Sequence, residues 1–307
     1  MKVLITGATG LVGQALTNML LDRGDSVNYL TTRSSQIKNE ANYKGFLWNT
    51  EKQEIDRSCF EGVSAIINLA GASVAERWTS KHKKAIINSR LNSLNLLYNA
   101  LSEIDHDVKH LASASAIGVY PSSLTKLYEE DEENLSNDFL GKVVRQWEVA
   151  ADNFTKLGIS VAKLRIGVVL SGKGGALEKM AKPIENYVGA PLGSGEQWQS
   201  WIHVKDLAHM FCYVIDDEMS GVYNAVAPNP VNNKELTKAI AKVLDKPLFL
   251  PPVPKFVLKL MLGEMAQIVL GSQLVSADKI QHEGFVFEYA HVEKALEEIY
   301  ETQKKDS

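Results

Sequence analysis

The chain has 307 residues, enough for one large α/β domain or two unequal ones, and its 45% hydrophobic and 23% charged residues are typical of a globular protein. A formal net charge of -4 gives no basic surface and argues against nucleic acid as the main partner. No stretch approaches the roughly twenty uninterrupted apolar residues of a membrane span, and no leader pattern precedes the first strand. We expect a cytoplasmic monomer or homodimer that acts on a small molecule.

The two cysteines, Cys59 and Cys212, are too few for a disulfide framework and stand in apolar surroundings. We interpret them as packed thiols rather than nucleophiles. No cluster of cysteine and histidine has the spacing of metal ligands, so no metal site is predicted. The one run of charge, residues 129–133, is interpreted as a solvated loop.

Short apolar runs alternate with segments of helical periodicity through the first two-thirds of the chain. The runs predicted as strands cover residues 2–6, 26–30, 65–69, 110–113 and 161–165. Helical spacing of apolar residues follows the first strand at 14–21 and returns at 91–101 and 143–157. This alternation predicts an α/β fold of the Rossmann type, a doubly wound parallel sheet covered on both faces.

The last third of the chain changes character. A proline-rich stretch at 247–254 separates a helix around Leu236 from an apolar helix of about 256–270. A short strand at 284–287 and a final helix ending near Tyr300 follow. These pieces predict a smaller, mostly helical C-terminal lobe.

The strongest motif is a set of three glycines directly after the first predicted strand. Gly7 permits the tight turn into the helix, Gly10 lets the backbone approach a diphosphate, and Gly13 allows the helix to pack against the strand. The start of the helix offers N–H groups and a partial positive charge to phosphates. The pattern predicts a dinucleotide-binding unit, the alternative being an ordinary strand-to-helix turn. The predicted cofactor contacts are Gly7, Thr9, Gly10, Leu11, Val12 and Gly13.

The residues after the second predicted strand indicate which dinucleotide is bound. NAD-binding proteins place an Asp or Glu about twenty residues after the glycines, where it holds both ribose hydroxyls. Here the strand leads into Thr32, Arg33 and Ser34, with no carboxylate. A guanidinium at this place can bind a 2′-phosphate with the hydroxyls alongside, so NADP(H) is predicted in preference to NAD(H). The alternative is that Arg33 lies in a solvated loop.

These predictions divide the chain into two parts. Residues 1–170, together with about 203–226, are expected to form the NADP(H)-binding Rossmann domain. Residues of about 171–202 and 227–307 are expected to form the smaller lobe, which would contact the substrate.

The glycine spacing, with Asn68-Leu69-Ala70-Gly71 closing a later strand, resembles the extended short-chain dehydrogenases/reductases. More narrowly, the chain is similar to the epimerase-family branch of NAD(P)-dependent epimerase/dehydratase-like proteins, and residues of about 248–298 resemble that branch's C-terminal domain of unknown function. The resemblance covers almost the whole chain and implies that Leu69, Ala70 and Gly71 contact the cofactor. The strings that carry it are Arg77-Trp78, Ser89-Arg90, Ser113 to Tyr120, Trp147-Glu148, Leu164 to Leu170, Gly193 to Gly195, Ser200 to Asp206, and Gly263 to Ala266.

The resemblance implies a Tyr-x-x-x-Lys pair on a helix, which moves a proton, and a Ser or Thr from the preceding strand end, which steadies an oxyanion. The matching helix carries Leu140 and Val144 at the two positions, and neither apolar side chain can move a proton. The literal match, Tyr300 to Lys304, lies at the C-terminus and is interpreted as a coincidence.

Three other residues are candidates for the missing chemistry. Ser113 and Ser115 lie at the carboxyl end of a central strand; the resemblance places one of them at the oxyanion position, and Ser115 is favoured. Tyr120 is a candidate replacement acid, with a packed aromatic as the alternative. His203 is a candidate proton donor near neutral pH, with a structural hydrogen-bonding role as the alternative. Glu148 and Arg165 can equally form a buried brace.

Four residues are predicted to contact the substrate. Arg77, Trp78 and Arg90 follow the strand on the cofactor side and suit an anionic or planar compound. A salt-bridged helix face explains them equally well. Trp201 belongs to a segment that closes over the substrate in proteins similar to this one.

Three functions compete. The first is an NADP(H)-dependent oxidoreductase with atypical acid–base chemistry, acting on a small carbonyl or hydroxyl compound. The second is a non-catalytic NADP(H) sensor or scaffold, favoured by the missing Tyr and Lys. The third is a sugar-nucleotide epimerase or dehydratase, which ranks last because it needs that tyrosine and a ribose-binding acid.

Overall fold

The structure is a computed structural model that describes the backbone of residues 1–306 and the side chains of residues 1–303. The strands, in chain order, are β1 Lys2–Thr6, β2 Ser26–Thr31, β3 Asn39–Glu40, β4 Tyr43–Asn49, β5 Glu54–Ile55, β6 Ala65–Asn68, β7 His110–Ala116, β8 Leu127–Tyr128, β9 Ser160–Ile166, β10 Val168–Leu170, β11 Trp198–Gln199, β12 Trp201–His203, β13 Gly221–Ala225, β14 Val231–Asn232 and β15 Leu274–Val275.

The helices, in chain order, are α1 Leu11–Asp22, α2 Ser80–Ser102, α3 Phe139–Asp152, α4 Ala176–Glu185, α5 Val204–Asp216, α6 Asn233–Val243, α7 Lys255–Leu262, α8 Ala266–Leu270, α9 Asp278–His282 and α10 Val292–Asp306. Short 3₁₀ turns occupy Ser34–Gln36, Arg57–Phe60, Ile117–Val119, Asn153–Leu157 and Gly263–Met265.

The main sheet has nine strands in the order β13-β9-β7-β6-β1-β2-β4-β3, with β5 paired to β4. Strands β3 and β5 run antiparallel to β4, and the other pairings are parallel. The chain passes from β1 to β2 on one side and then crosses to β6 on the other. The strand order therefore reverses beside β1, and a crevice opens at the carboxyl ends of β1 and β6. The predicted Rossmann-type doubly wound sheet is confirmed.

Helices cover both faces of this sheet. Helix α1 packs against α5, and α2 packs against α3. Because right-handed crossovers leave β1 in opposite directions, α1 and α2 lie on opposite faces. The inner strands are buried on both sides, which explains their unbroken apolar sequences. Both cysteines are unpaired and buried, as predicted.

The C-terminal region is mostly helical, as predicted, but two of its predicted elements are wrong. The single helix expected over 256–270 is divided, because Gly263 adopts a left-handed φ of +59° that ends α7. The strand expected at 284–287 is irregular backbone. The amide of Phe285 donates to the carbonyl of Ile280, and the amides just beyond, at 288 and 289, donate to the carboxylate of Asp206. These amides therefore need no partner strand.

The apolar side chains that suggested the strand pack instead as an aromatic cluster. Phe285 lies edge-on to Phe287 and Tyr213, with ring centroids 4.9 and 5.4 Å apart. Among the described residues, no helix combines the length and the apolar character needed to cross a bilayer.

Candidate functional site

The turn between β1 and α1, residues 7–13, forms a cradle at the carboxyl end of β1. Gly7 has φ of +75°, the left-handed conformation that glycine adopts without strain. A Cβ on Gly7 would lie 3.0 Å from the carbonyl carbon of Leu69, so the turn packs directly on the chain that leaves β6. Gly13 is closer still, because its Cβ would lie 2.1 Å from the carbonyl oxygen of Gly7.

The start of α1 leaves donors available inside this cradle. Gly10 precedes the helix with extended backbone, no side chain caps the helix, and its first turn has no acidic residue. The amides of Leu11, Val12 and Gly13 consequently have no partner within the helix. A Cβ on Gly10 would meet a single neighbour, the carbonyl oxygen of Gly7 at 3.2 Å. The open side of the cradle can therefore receive an anionic group such as a diphosphate.

A hydroxyl that the sequence reasoning missed fixes the crevice. Thr6, the last residue of β1, accepts hydrogen bonds from the amides of Leu69 and Ala70 at 3.1 Å each and donates to the Asn68 side chain at 2.8 Å. Asn68 in turn donates to the hydroxyl of Ser113 on β7 at 3.2 Å. These contacts hold the ends of three neighbouring strands in register. Two polar residues ending apolar strands were the available signal.

The loop after β2 has the composition that the sequence analysis predicts for binding a 2′-phosphate. The Thr31 hydroxyl accepts the amide of Arg33 at 3.2 Å, which turns the chain into the 3₁₀ turn that begins at Ser34. Thr32, Arg33 and Ser34 are exposed, and the guanidinium of Arg33 makes no hydrogen bond or ion pair with the side chains that the structure describes. The residues that leave β2, Thr32 to Gln36, include no carboxylate.

The helix expected to carry the Tyr-x-x-x-Lys pair is α3, and its two positions are apolar in their surroundings as well as in their sequence. Leu140 packs with Trp78 and Phe139. Val144 is buried beside Val119. The Tyr300 phenol lies elsewhere, partly buried on α10, and the side chain of Lys304 is outside the described residues.

Ser115 and Tyr120 both belong to a buried network behind the end of β7. Ser115 donates to the Glu148 carboxylate at 2.6 Å. Arg165 donates to both oxygens of that carboxylate, from Nε at 2.9 Å and from Nη2 at 3.0 Å, and from Nη1 to the Tyr120 hydroxyl at 2.9 Å. Tyr120 donates to the Asn224 side chain at 2.7 Å. Glu148 and Arg165 thus form the buried brace, and we call these five residues the buried network.

The geometry argues against the predicted catalytic roles of Ser115 and Tyr120. Tyr120 is fully buried and Ser115 is 3% exposed, so both face the protein interior. Burial raises the pKa of Tyr120 to about 12. The neighbouring guanidinium of Arg165 and the Ser115 hydroxyl hold the pKa of Glu148 below its ordinary value despite burial, so it stays ionised.

The acidic run at 129–133 is only partly the solvated loop that the sequence predicts. Glu130 is half-buried and accepts the backbone amide of Asn224 at 2.7 Å. Glu132 forms an ion pair with Lys126. Glu130 is drawn out of the solvent because β13 is the edge strand of the sheet and the amide of Asn224 has no partner strand on this side.

His203 also has a structural contact. Its Nδ1 accepts the amide of Lys205 at 3.2 Å and so caps α5. Its ring is 1% exposed and lies 4.0 Å from the Tyr289 ring, centroid to centroid. Burial lowers the pKa of His203 to about 4, so the ring is neutral at pH 7. This argues against His203 as a proton donor.

The predicted substrate residues separate into two groups. Trp201 is fully buried among apolar residues of α4, α6 and α10, with its indole N–H donating to the carbonyl of Asn229, which argues against a substrate contact. Trp78 is 8% exposed and donates to the carbonyl of Val74. Arg77 is exposed. Arg90 alone lies against the crevice, beside Gly71.

A cavity of about 560 Å³ lies between α7, α8 and the N-terminal end of α3. Asp138, which caps α3, borders it two residues before Leu140. The size suits a small organic molecule. The other polar side chains that line it are Ser122, Lys259, Glu264, Gln267 and Gln273.

Comparisons with known proteins agree with this geometry. Residues 3–226 match the profile of the NAD dependent epimerase/dehydratase family, and residues 253–299 match a domain of unknown function. An epimerase family protein of Staphylococcus aureus (strain MRSA252) is 39% identical over 299 residues, covering 97% of this chain and 98% of its own.

Two solved structures are similar over nearly the whole chain. The human epimerase family protein SDR39U1 (isoform 2), solved with NADPH, has a TM-score of 0.84 and 29% identity, covering 98% of this chain and 99% of its own. The nucleoside-diphosphate sugar epimerase from Corynebacterium glutamicum has a TM-score of 0.77 and 28% identity, covering 99% of this chain and 61% of its own.

Proposed function

Because the chain belongs to the NAD dependent epimerase/dehydratase family, we propose that it binds NADP(H) in the cradle and acts as an oxidoreductase on a small carbonyl or hydroxyl compound. The amides at the start of α1 would hold the diphosphate, and Leu69, Ala70 and Gly71 would line the other side of the crevice. The presence of NADPH in the similar human protein supports this choice of cofactor.

The observation that carries the cofactor proposal is the exposed guanidinium of Arg33 at the end of β2. Its planar set of N–H donors fits a phosphate, and the hydroxyls of Thr32 and Ser34 can complete the contact. A carboxylate here would repel a 2′-phosphate. NADP(H) is therefore favoured over NAD(H).

The cofactor proposal is tested by titrating the protein with NADPH and NADH and following the fluorescence of the reduced nicotinamide. Arg33→Gln removes hydrogen bonds to a charged group, so NADPH should bind about 10- to 100-fold more weakly while NADH is unaffected. Lys38→Gln is the matched control, since it removes an exposed cation a few residues further along. Equal NADPH and NADH affinities in the natural protein would contradict the proposal.

When bound, NADPH supplies a hydride that the carbon of a carbonyl group accepts. The chain must then provide a proton for the carbonyl oxygen, and the buried network cannot release one to the crevice. The cavity beside α3 supports a catalytic role, because its titratable side chains, Asp138, Lys259 and Glu264, are the alternatives to the missing tyrosine. A small polar substrate bound there would lie beside α3, the helix in which Leu140 and Val144 stand at the positions of the Tyr-x-x-x-Lys pair.

The oxidoreductase proposal is tested with a panel of small carbonyl compounds and nucleoside-diphosphate sugars, following NADPH oxidation. Asp138→Asn keeps the helix cap but removes the acid, and Lys259→Gln removes the cation. At least one should lower kcat with little change in the NADPH dissociation constant. Interconversion of a nucleoside-diphosphate sugar without net NADPH oxidation would support the epimerase function instead. No turnover with any compound would contradict both.

A non-catalytic sensor is the second candidate, and the apolar surroundings of Leu140 and Val144 favour it. In that function NADPH changes the C-terminal lobe without chemistry. Hydrogen–deuterium exchange should then show NADPH-dependent protection of α7 and α8, with no turnover. Measurable turnover would contradict the strictly inactive form. The cytoplasmic location and the monomeric or homodimeric state stay predictions from the sequence.

A further inference from the structure

The guanidinium of Arg90 is held in place without a carboxylate. Its Nη1 donates to the carbonyl oxygens of Ala72 at 3.2 Å and Ile86 at 3.0 Å. One side of the guanidinium lies 4.8 Å from the centroid of the Trp147 ring on α3. A Cβ on Gly71 would lie 3.1 to 3.3 Å from three of its atoms, so the group is in close contact with the backbone there.

Three N–H groups of this guanidinium remain available. Arginine carries five, and the two on Nη1 are used by the carbonyl oxygens. The Nε–H and the two Nη2–H groups have no acceptor among the residues that the structure describes. Neither nitrogen is sealed from solvent. Nε and Nη2 lie side by side, the edge that binds two oxygens of a phosphate or carboxylate at once.

The guanidinium of Arg90 is a partly buried cation that has no counter-ion among the described residues. Burial lowers the pKa of Arg90 to about 10, and no acidic side chain among the described residues opposes that shift. Arg165, which is 4% exposed, has the Glu148 carboxylate against the same edge, and its pKa is raised. A desolvated guanidinium is stabilised when an anion occupies its open edge.

The position of Arg90 relates this edge to the crevice. The cradle contacts Leu69 and Ala70 through Gly7, and Gly71 follows them directly, in contact with Arg90. We propose that the open Nε–Nη2 edge of Arg90 binds an oxyanion in the crevice, a phosphate or carboxylate that belongs either to the dinucleotide or to the substrate. This inference rests on the proposed function, because it places the anion beside the bound cofactor.

The first test compares NADPH binding by the natural protein, Arg90→Gln, Arg90→Lys and Lys84→Gln. Lys84 is an exposed cation on the same helix, so its variant controls for the loss of one charge. If the oxyanion is the diphosphate of the dinucleotide, Arg90→Gln should weaken NADPH binding about 10- to 100-fold. Arg90→Lys keeps the charge without the two-pronged edge and should recover only part of it. Lys84→Gln should bind as the natural protein does.

The second test identifies the source of the anion if NADPH binding is unchanged. Thermal shift with inorganic phosphate is measured with the protein saturated by NADPH. A substrate oxyanion predicts that phosphate raises the melting temperature of the natural protein and of Lys84→Gln but not of Arg90→Gln. Unfolding curves without ligand show whether each variant is folded. If Arg90→Gln is unfolded, Arg90→Lys takes its place in the comparison.

Two failures are distinguishable. If the natural protein does not bind NADPH, the proposed function fails, whereas phosphate still tests Arg90 in the protein without cofactor. If the natural protein binds NADPH, and Arg90→Gln matches it for both NADPH and phosphate, the inference about Arg90 is overturned.

Discussion

The cradle at the end of β1 and the buried network at the end of β7 lie on the same edge of one sheet, yet their polar groups have opposite surroundings. In the cradle, the amides at the start of α1 have no partner in the helix, and a Cβ on Gly10 would meet a single protein atom. In the network, Arg165, Glu148 and Ser115 satisfy one another away from solvent. Unpaired donors at a crevice indicate binding, whereas paired and buried ones indicate a structural role.

This contrast also argues against a catalytic role for Ser115. Ser115 occupies the strand end where the resemblance implies an oxyanion-stabilising hydroxyl, but its donor is committed to Glu148. A serine that bound a substrate would have to leave this carboxylate, which would then lose one of its hydrogen bonds while still buried.

The largest expected effect is on stability, from breaking the buried network. Arg165→Met leaves the Glu148 carboxylate buried without its counter-ion and should lower the free energy of unfolding by about 3–5 kcal/mol. Urea unfolding measures this loss. Arg165→Met combined with Glu148→Leu removes both charges and should recover most of it. A single variant as stable as the natural protein would mean that the network does not stabilise the fold.

The same pair predicts a pH dependence. The pKa of Glu148 is lower in the folded protein than its ordinary value, because Arg165 and Ser115 stabilise the ionised form. The unfolded chain therefore binds the proton more readily, so this contribution is present at neutral pH and is lost as the pH falls through the folded pKa. Glu148→Gln should flatten the fall in unfolding free energy between neutral pH and roughly pH 3. An unchanged slope would contradict the assignment.

The next effect tests the close packing of the cradle. Gly13→Ala places a Cβ 2.1 Å from the carbonyl oxygen of Gly7, so the backbone must shift. We expect a loss of about 1–3 kcal/mol in unfolding free energy and no detectable NADPH binding. Gly118→Ala is the control, because its Cβ would meet Leu140 at 3.5 Å, an ordinary contact. Normal NADPH binding by Gly13→Ala would show that the cradle is not the binding turn.

A feature could be predicted from the sequence when the residues that form it lie close together in the chain. The cradle was predictable because Gly7, Gly10 and Gly13 act within one turn. Other contacts join residues that lie far apart in the chain, so no local sequence pattern predicts them. Examples are the contacts of Thr6 with Leu69 and Ala70, and of Arg90 with Gly71.

The wrong prediction of a strand also results from contacts between residues that lie far apart in the chain. The apolar run at 284–287 resembled a strand, but its neighbours' amides are satisfied by Asp206, more than 80 residues earlier. Tyr120 and His203 are candidates because of their chemistry, which the sequence shows. Their burial depends on contacts with Asn224 on β13 and with Tyr289, which the sequence does not show.

The smallest expected effect comes from Ser115 itself. Ser115→Ala removes one hydrogen bond to a carboxylate that Arg165 still holds, so it should lower the unfolding free energy by about 1–2 kcal/mol. The NADPH dissociation constant and any kcat should stay near their natural values. A loss of kcat of two orders of magnitude with normal stability would return Ser115 to the catalytic site.

The most direct test of the contrast between the two regions uses Gly10→Ala. Its Cβ would meet a single protein atom, the carbonyl oxygen of Gly7 at 3.2 Å, so the substitution should leave the fold intact after a small adjustment. NADPH fluorescence titration and urea unfolding are measured on the variant and on the natural protein. We predict saturable NADPH binding by the natural protein, its loss in Gly10→Ala, and a decrease of only about 1 kcal/mol in unfolding free energy, because Gly10 is the N-cap of α1. Equal NADPH affinities, or no saturable binding by the natural protein, would contradict the account.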